Sequence, residues 1–168
     1  MLFIVITLVV VLGSYLFLGL VLPRWFFPLE EGYVSSKEQG IARLITDIML
    51  AQESILISCK RCGANGLASS DLADRLRWAL VERDNAGVDI HIIIAEPPPA
   101  FLKELENQGV LKIHRPSGSL PFYGRVIDWQ LVERYESEMP DIYGVGKYFR
   151  APNAHEDAAL LTQKAFAK

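Results

Sequence analysis

Two cysteines three positions apart, Cys59 and Cys62, are the residues whose types and spacing most directly suggest chemistry. A C-x-x-C pair can supply half of a tetrahedral zinc site or a thiol–disulfide redox couple. The zinc hypothesis needs a homodimer to complete four ligands, because the chain has only 2 Cys and its 3 His lack ligand spacing. The redox hypothesis needs a helix that starts at the pair, but a glycine-containing loop follows. We therefore interpret the pair as reduced thiols and predict no metal and no cofactor.

Histidines are the next side chains that could act as ligands or nucleophiles. In an apolar segment predicted as a strand, His91 lies on the same face as Asp89 and Ile93. This favours a hydrogen-bonded histidine on a face of the sheet. His114 ends a separate short apolar segment. The sequence contains no Ser-His-Asp pattern, no phosphate-binding P-loop and no H-E-x-x-H zinc motif.

Composition limits the class of protein. The 168 residues carry 17 Lys+Arg and 20 Asp+Glu, for a formal net charge of −3. This balance lacks the basic footprint of a nucleic-acid-binding protein, so we expect no nucleic-acid partner. Apolar residues make up 51% of the chain and charged residues 22%, which excludes disorder and fits one ordinary domain.

The N-terminal segment has the character of a membrane anchor. Residues 2–22 carry no charge, and as a helix they would span roughly 31 Å, the thickness of a bilayer core. The residues after Pro23 match the snorkelling cation and aromatic belt of a membrane interface: Arg24, Trp25, Phe26 and Phe27. The sequence predicts a single-pass helix and interfacial belt over residues 1–28. A cleaved signal peptide is the alternative, disfavoured because a basic n-region and an A-x-A site are missing.

Flanking charges predict the orientation of this anchor. Positive side chains follow the apolar segment at Arg24, Lys37 and Arg43, and none precedes it. The positive-inside rule then places the C-terminal domain in the cytoplasm. Cysteines stay reduced in that compartment, whereas an extracytoplasmic domain would allow a local disulfide.

The remaining chain predicts a linker at 29–35 and one domain at 36–168. Ser35-Ser36-Lys37-Glu38 matches a capping box, and apolar spacing predicts a helix to about Gln52. The predicted order of elements is α-β-α-β-α-β-β-β-β-α. Because strands that alternate with helices pair in parallel through right-handed crossovers, we predict an α-β-α sandwich with a mixed, mostly parallel sheet.

Several stretches in this order resemble one half of a phospholipase D superfamily domain. They are SILISC after a helix, LRWALVERDNAGVDIHIII, LENQGVLKIHR and RVIDWQLV, and they cover roughly residues 36–168. The motif of that family is His-x-Lys followed by four residues and Asp. Its His is a nucleophile that takes a phosphoryl group, its Lys holds the phosphate, and two motifs meet across a pseudo-twofold or dimer axis.

The resemblance implies that this chain has lost most of the motif. Alignment on Val126-Ile127-Asp128 keeps Asp128 but places Pro121 at the His position and Tyr123 at the Lys position. Proline offers no nucleophile, and a neutral tyrosine cannot stabilise transferring phosphate charge as a cation would. His114 is a poor replacement because it ends a different strand. The Gly-Ser-x-Asn stretch of the family falls on residues 135–138, where two carboxylates would repel a phosphodiester. The resemblance therefore implies a degenerate, non-catalytic half-domain.

These observations predict a membrane-anchored accessory or scaffold subunit that binds and stabilises a larger membrane protein complex. Candidate partner contacts are aromatic: Trp129, Tyr143, Tyr148 and Phe149. Packing on a sheet face is the alternative for each of them. The alternative function is a phosphodiesterase or phospholipase that acts as a homodimer with an atypical site, and a weaker one is a redox or metal module through Cys59 and Cys62.

Overall fold

The computed structural model describes residues 30–62, 70–116, 118–136, 141–152 and 155–166. Within these ranges, no helix is both long enough and apolar enough to cross a membrane. The predicted span at residues 2–22 lies outside them. The predicted interface residues lie outside them as well: Arg24, Trp25, Phe26 and Phe27.

The described chain forms a mixed α/β fold with one seven-stranded sheet. In chain order its elements are β1 (Glu30–Val34), α1 (Lys37–Leu50), β2 (Ser54–Cys59), α2 (Ser70–Asn85), β3 (Asp89–Ile94), α3 (Ala100–Asn107), β4 (Lys112–His114), β5 (Gly124–Ile127), β6 (Leu131–Glu136), β7 (Gly146–Pro152) and α4 (His155–Phe166). From α1 onward this is the predicted order of helices and strands.

The first strand occupies the segment predicted as a linker at 29–35. Strand β1 pairs antiparallel with β7, with Glu30 opposite Arg150 and Val34 opposite Gly146. Glu30, Glu31 and Gly32 disfavour a strand by local propensity, so the sequence alone gave no signal for it. The hydrogen bonds to β7 and the complete burial of Val34 outweigh that propensity.

Helix α1 begins and ends close to its predicted bounds. Ser36 is its N-cap and accepts a hydrogen bond from the Gln39 backbone N–H at 3.2 Å. The Gln39 side chain accepts in return from the Ser35 backbone N–H at 2.9 Å, so Gln39 and not Glu38 closes the capping box. The helix ends at Leu50, two residues before the predicted end.

The sheet is mostly antiparallel, so the prediction of a mostly parallel sheet is wrong. Its strand order is β1-β7-β6-β5-β2-β3-β4. Among the described strands, the neighbouring pairs β2–β3 and β3–β4 are parallel, and a crossover helix joins the two strands of each pair. After β4 the chain returns to pair β5 with β2 in the antiparallel direction, and β6, β7 and β1 follow antiparallel.

Helices pack on both faces of the sheet. The larger core lies under α1, α2 and α3, and we call this side the three-helix face. On the other side, the α4 face, Leu161 packs with Leu56, Ile93, Val126 and Val132. Strand alternation sends successive side chains to opposite faces, so neighbouring residues of β5, β6 and β7 contribute to different sites.

Candidate functional site

A groove of about 620 Å³ lies on the α4 face, beside strands β6 and β7. We call it the β6–β7 groove. Its lining comprises Leu120, Pro121, Phe122, Tyr123, Val132, Arg134, Tyr135, Glu136, Phe149 and Ala151. It therefore contains both residues that align with the His and Lys of the family motif, Pro121 and Tyr123.

Strand β5 holds these two residues at the groove. The Tyr123 carbonyl accepts a hydrogen bond from the Tyr135 backbone N–H at 2.9 Å, which ties the loop before β5 to β6. At the next position a Cβ would lie 1.8 Å from the Glu133 carbonyl oxygen, so only glycine fits at Gly124. The close approach of the two strands fixes the wall that carries Pro121 and Tyr123.

The groove has an aromatic lining with few charges. The Arg134 guanidinium lies 4.8 Å from the Phe122 ring centre, and the Lys147 ammonium lies 4.4 Å from the Phe149 ring centre at the rim. The Glu136 carboxylate is 4.0 Å from that ammonium. Among the described lining residues there is no histidine, lysine, serine or cysteine. The groove has the size and apolar character of a binding site.

Asp128, the remaining motif residue, lies in the turn between β5 and β6. Asp128 and Trp129 both have positive φ, at 50° and 58°, as a tight hairpin turn of the I′ type requires. The Asp128 carboxylate accepts backbone N–H bonds from Gln52, Glu53 and Ser54 at 2.8–3.0 Å. It thereby fastens the hairpin to the junction between α1 and β2, which is a structural role.

The most buried polar cluster lies on the three-helix face, and sequence analysis did not predict it. Arg125 is completely buried, and its guanidinium donates to the Asp47 carboxylate at 2.5 Å. A second guanidinium nitrogen lies 3.2 Å from a Glu133 oxygen. Asp47 and Glu133 are themselves buried, at 2% and 0% exposure. These three residues connect α1, β5 and β6 inside the core, and we call them the Arg125 cluster.

Two further arginines surround this cluster. Arg150 pairs with Asp47, and Arg43 donates to Glu133 at 2.7 Å. Burial opposes ionisation of Glu133, but Arg125, the Tyr135 hydroxyl and Arg43 outweigh it and hold the pKa of Glu133 below its usual range. Glu133 is therefore ionised beside its arginines at neutral pH. Burial raises the pKa of Asp47, although the charges of Arg125 and Arg150 oppose that rise.

The sequence carried a weak signal for this cluster. Asp47 lies three residues after Leu44 and directly before Ile48, on the buried face of α1. Arg125 lies among the apolar residues of β5, where every residue is buried. A charged residue at an apolar position of a helix and another in a buried strand predict a pair when the two elements are packed together.

Two of the four aromatic residues predicted as partner contacts are buried. Tyr143 is completely buried in the larger core, and Tyr148 is 6% exposed beside Arg43. Their predicted role as surface contacts is therefore wrong, because they pack beneath the three-helix face. Trp129 remains 36% exposed at the β5–β6 turn, and Phe149 lines the β6–β7 groove.

The cysteine pair is enclosed in the core. Cys59 ends β2, and both Cys59 and Cys62 are free and buried. The hydrogen bond that the Cys59 thiol donates to Cys62, together with burial, raises the pKa of Cys59, so its thiolate is disfavoured. Within the described ranges, no group of three or more His, Cys, Asp and Glu residues has a geometry that could hold a metal ion.

The two histidines form a hydrogen-bonded chain on the α4 face. Asp89 lies 2.8 Å from His91 Nε2, and His91 Nδ1 lies 2.9 Å from His114 Nε2. Lys112 pairs with the other Asp89 oxygen at 2.8 Å. Burial and electrostatic repulsion by the neighbouring His91 and Lys112 side chains lower the pKa of His114, which favours its neutral form. This chain joins β3 to β4.

The histidine chain and the β6–β7 groove lie at different parts of the sheet. Strand β4, which carries His114, is an edge strand and is separated from β5 by β2 and β3. Three strand spacings correspond to about 14 Å. His114 therefore does not reach the groove wall that Pro121 and Tyr123 form within one copy of the chain.

Comparison with solved structures identifies the fold. Nuc from Salmonella typhimurium, a phospholipase D family member, is similar with a TM-score of 0.51 and 17% identity, over 80% of this chain and 90% of Nuc. Phosphatidylserine synthase from Haemophilus influenzae Rd KW20 is similar with a TM-score of 0.51 and 12% identity, over 79% of this chain and 35% of that one. The fold is phospholipase D-like.

Other comparisons add little to this result. TrmBL2, an archaeal chromatin protein, has a TM-score of 0.49 and 15% identity, and the match spans 90% of this chain and 56% of TrmBL2. No protein-family model and no curated protein sequence matches the chain. The phospholipase D-like fold thus agrees with the family resemblance seen in the sequence, and function has to be argued from the chain's own residues.

Proposed function

We propose that this chain is a non-catalytic, membrane-anchored accessory subunit that binds and stabilises a larger membrane protein complex. One observation carries the proposal. In a phospholipase D-like fold, the groove that contains the motif positions presents Pro121 and Tyr123 where the family has His and Lys. A groove without the nucleophilic histidine and the phosphate-holding lysine of the motif retains shape and apolar surface, which serve binding.

The charges around the groove support the same proposal. A phosphodiester would have to approach Glu136, which lines the groove. The nearby cations are Arg134, placed over the Phe122 ring, and Lys147, placed over the Phe149 ring and beside Glu136. The catalytic stabilisation of a transferring phosphoryl group requires cations directed at its oxygens, and these two are directed at rings and a carboxylate.

The anchor part of the proposal rests on the sequence. The uncharged residues 2–22 and the interfacial residues that follow are what a single-pass protein needs, and the flanking positive charges favour a cytoplasmic domain. Trp129, which is 36% exposed at the β5–β6 turn, and Phe149, which lines the groove, are the predicted partner contacts that stay accessible. A large aromatic side chain on a fixed turn suits a protein–protein interface.

A second candidate function is a phosphodiesterase that acts as a homodimer with an atypical site. The observation that favours it is the chain of Asp89, His91 and His114 with Lys112 beside it, because a histidine next to a carboxylate and a lysine is a possible nucleophilic centre. Lys112 is held by Asp89, and the pocket beside His91 measures only about 140 Å³. We therefore favour the accessory subunit.

Extraction of the tagged full-length chain from its native membranes tests the proposal. We expect native mass spectrometry in mild detergent to show the chain in a stable complex with membrane proteins of fixed stoichiometry. The matched control is residues 1–28 fused to an unrelated soluble domain, which should not carry these proteins. A full-length chain that elutes only as a monomer or homodimer would contradict the accessory role.

A further inference from the structure

The two edges of the sheet are built differently. Strand β4 forms one edge over only 3 residues, Lys112–His114, and a Glu106 carboxylate oxygen accepts the Ile113 backbone N–H at 3.2 Å. Strand β1 forms the other edge over 5 residues, Glu30–Val34, without a proline. In the part of the chain that the structure describes, no hydrogen bond covers the outward backbone groups of β1. An open edge of this kind is a template for a further strand.

The acidic residues of β1 do not close this edge with unpaired charge. Glu30 accepts a hydrogen bond from the Tyr148 hydroxyl at 2.8 Å and lies 4.0 Å from the Arg43 guanidinium, on the three-helix face. Glu31 lies 3.8 Å from the Lys147 ammonium, on the α4 face. Charged side chains protect an edge strand when they repel an incoming strand. Because both carboxylates are paired within the chain, that repulsion is reduced.

Tyr33 is the large apolar side chain that β1 leaves in water. It is 67% exposed, whereas its neighbour Val34 is completely buried. Strand alternation places Tyr33 on the α4 face with Glu31, and its register partner in β7 is Lys147. An aromatic ring at an open edge gains from a neighbouring strand that covers it.

We propose that β1 pairs antiparallel with β1 of a second copy of this chain, about a twofold axis at Gly32. In this register Glu30 faces the partner's Val34, and Glu31 faces the partner's Tyr33. No two like charges are then directly opposite, as a self-complementary interface requires. The two Tyr33 rings become diagonal neighbours across the axis, a separation that aromatic side chains can bridge.

The sequence of β1 disfavours the neighbouring registers. A twofold axis at Glu31 would set two carboxylates directly opposite each other, which is destabilising. An axis at Tyr33 would leave only Gly32–Val34 of each strand to pair. The register at Gly32 uses all five residues of the strand and separates the carboxylates. The pairing joins the two seven-stranded sheets into one continuous sheet.

This inference does not depend on the accessory function, since it concerns contacts between copies of one chain. It adds an expectation to that function, because a complex that contains the chain would then contain two copies of it.

Cross-linking of the purified full chain in detergent tests the pairing. Tyr33→Cys places a thiol beside the axis, and diagonal neighbours about 7–8 Å apart suit a short bis-maleimide. The matched control is Lys103→Cys, which is exposed on α3, the helix that connects β3 to the β4 edge. Cys59 and Cys62 are buried and should not react. We expect at least tenfold more cross-linked dimer from Tyr33→Cys than from Lys103→Cys.

A charge variant distinguishes this contact from association through another surface. Tyr33→Glu sets a carboxylate opposite the partner's Glu31, but within its own chain that carboxylate lies opposite Lys147. The change therefore disfavours pairing without disfavouring the fold. The matched control is Trp78→Glu, which makes the same type of change at a residue that is 58% exposed on α2. Energy transfer between labelled copies should give an at least tenfold higher Kd for Tyr33→Glu and an unchanged Kd for Trp78→Glu.

Adding Glu31→Lys to Tyr33→Glu restores opposite charges across the axis and should restore association, with an unchanged circular dichroism spectrum throughout. Equal Kd values for wild type and Tyr33→Glu would overturn the pairing and assign any association to another surface. A chain that stays monomeric at every concentration, or that cross-links equally from both positions, would also overturn it. All these measurements use the purified chain alone, so none of them decides whether the native complex exists.

Discussion

Replacing Asp47 with alanine will lower the free energy of unfolding by about 3–5 kcal/mol, because it leaves a completely buried arginine without its main partner. Arg125 has 0% exposure and donates to Asp47 at 2.5 Å, and Asp47 also pairs with Arg150. Only Glu133, 3.2 Å from a guanidinium nitrogen, then remains as an acidic partner of Arg125, so the desolvation of the arginine is poorly compensated. The loss is large because one carboxylate serves two guanidinium groups.

An exposed ion pair on the same protein gives the matched control. Glu104 pairs with Arg77 at 2.8 Å, but their side chains are 48% and 38% exposed. Glu104→Ala should therefore destabilise the fold far less than Asp47→Ala, because a solvent-exposed ion pair contributes little to stability. Urea unfolding of the full chain in detergent, followed by near-ultraviolet circular dichroism, measures both variants. If Asp47→Ala costs no more than Glu104→Ala, the Arg125 cluster does not stabilise the fold as described.

Replacing Asp128 with alanine will lower the free energy of unfolding by about 2–3 kcal/mol. The substitution removes the acceptor of three backbone N–H groups at residues 52–54. It also places alanine at a φ of 50°, which asparagine and aspartate tolerate better than other non-glycine residues. The hairpin of β5 and β6 would then lose its fastening to the α1–β2 junction.

Asp128→Asn is the control that separates the two causes. Asparagine keeps the tolerance for positive φ and one acceptor oxygen, so we expect about half the loss. Unfolding in urea under the same conditions compares the variants. A loss below about 1 kcal/mol for alanine would show that the carboxylate is dispensable to the turn. A structural role for Asp128 explains why the motif aspartate persists in a chain that has Pro121 and Tyr123 at the other two motif positions.

The sequence was sufficient for most helices and strands because their apolar spacing is strong. Ile41, Leu44 and Ile48 in α1 repeat at helical spacing and are buried as predicted. The uninterrupted apolar run of β2 is buried at every position. Such patterns involve residues that are close in the sequence, so they predict helices and strands without knowledge of the tertiary structure.

The partners and directions of the strands in the sheet could not be predicted from such local patterns. The direction in which β5 meets β2 depends on which edge the chain returns to after β4, and nothing in the residues of β5 specifies that edge. Strand β1 depends wholly on its partner β7, because Glu30, Glu31 and Gly32 have low strand propensity. The alternation of helices and strands therefore predicts the parallel pairs β2–β3 and β3–β4, but it does not predict the antiparallel pairs that follow β4.

The candidate site was predictable in part. Alignment by motif named Pro121, Tyr123 and Asp128, but only the fold brings the first two into a groove and places the third in a distant turn. The Arg125 cluster was not predicted, because Asp47 is far in the chain from Arg125 and Glu133 and only the fold brings them together. Tyr143 and Tyr148 looked like surface contacts because composition does not reveal which face of a strand an aromatic ring occupies.

Hydrolysis of phosphodiesters by the full-length chain tests the central claim most directly. The assay uses bis(p-nitrophenyl) phosphate and phospholipid vesicles, with wild-type protein and a His114→Ala variant at equal concentration. A non-catalytic subunit predicts that neither protein releases product above the protein-free rate. Turnover by the wild type that disappears with His114→Ala would contradict the account and assign the Asp89–His91–His114 chain as the catalytic centre.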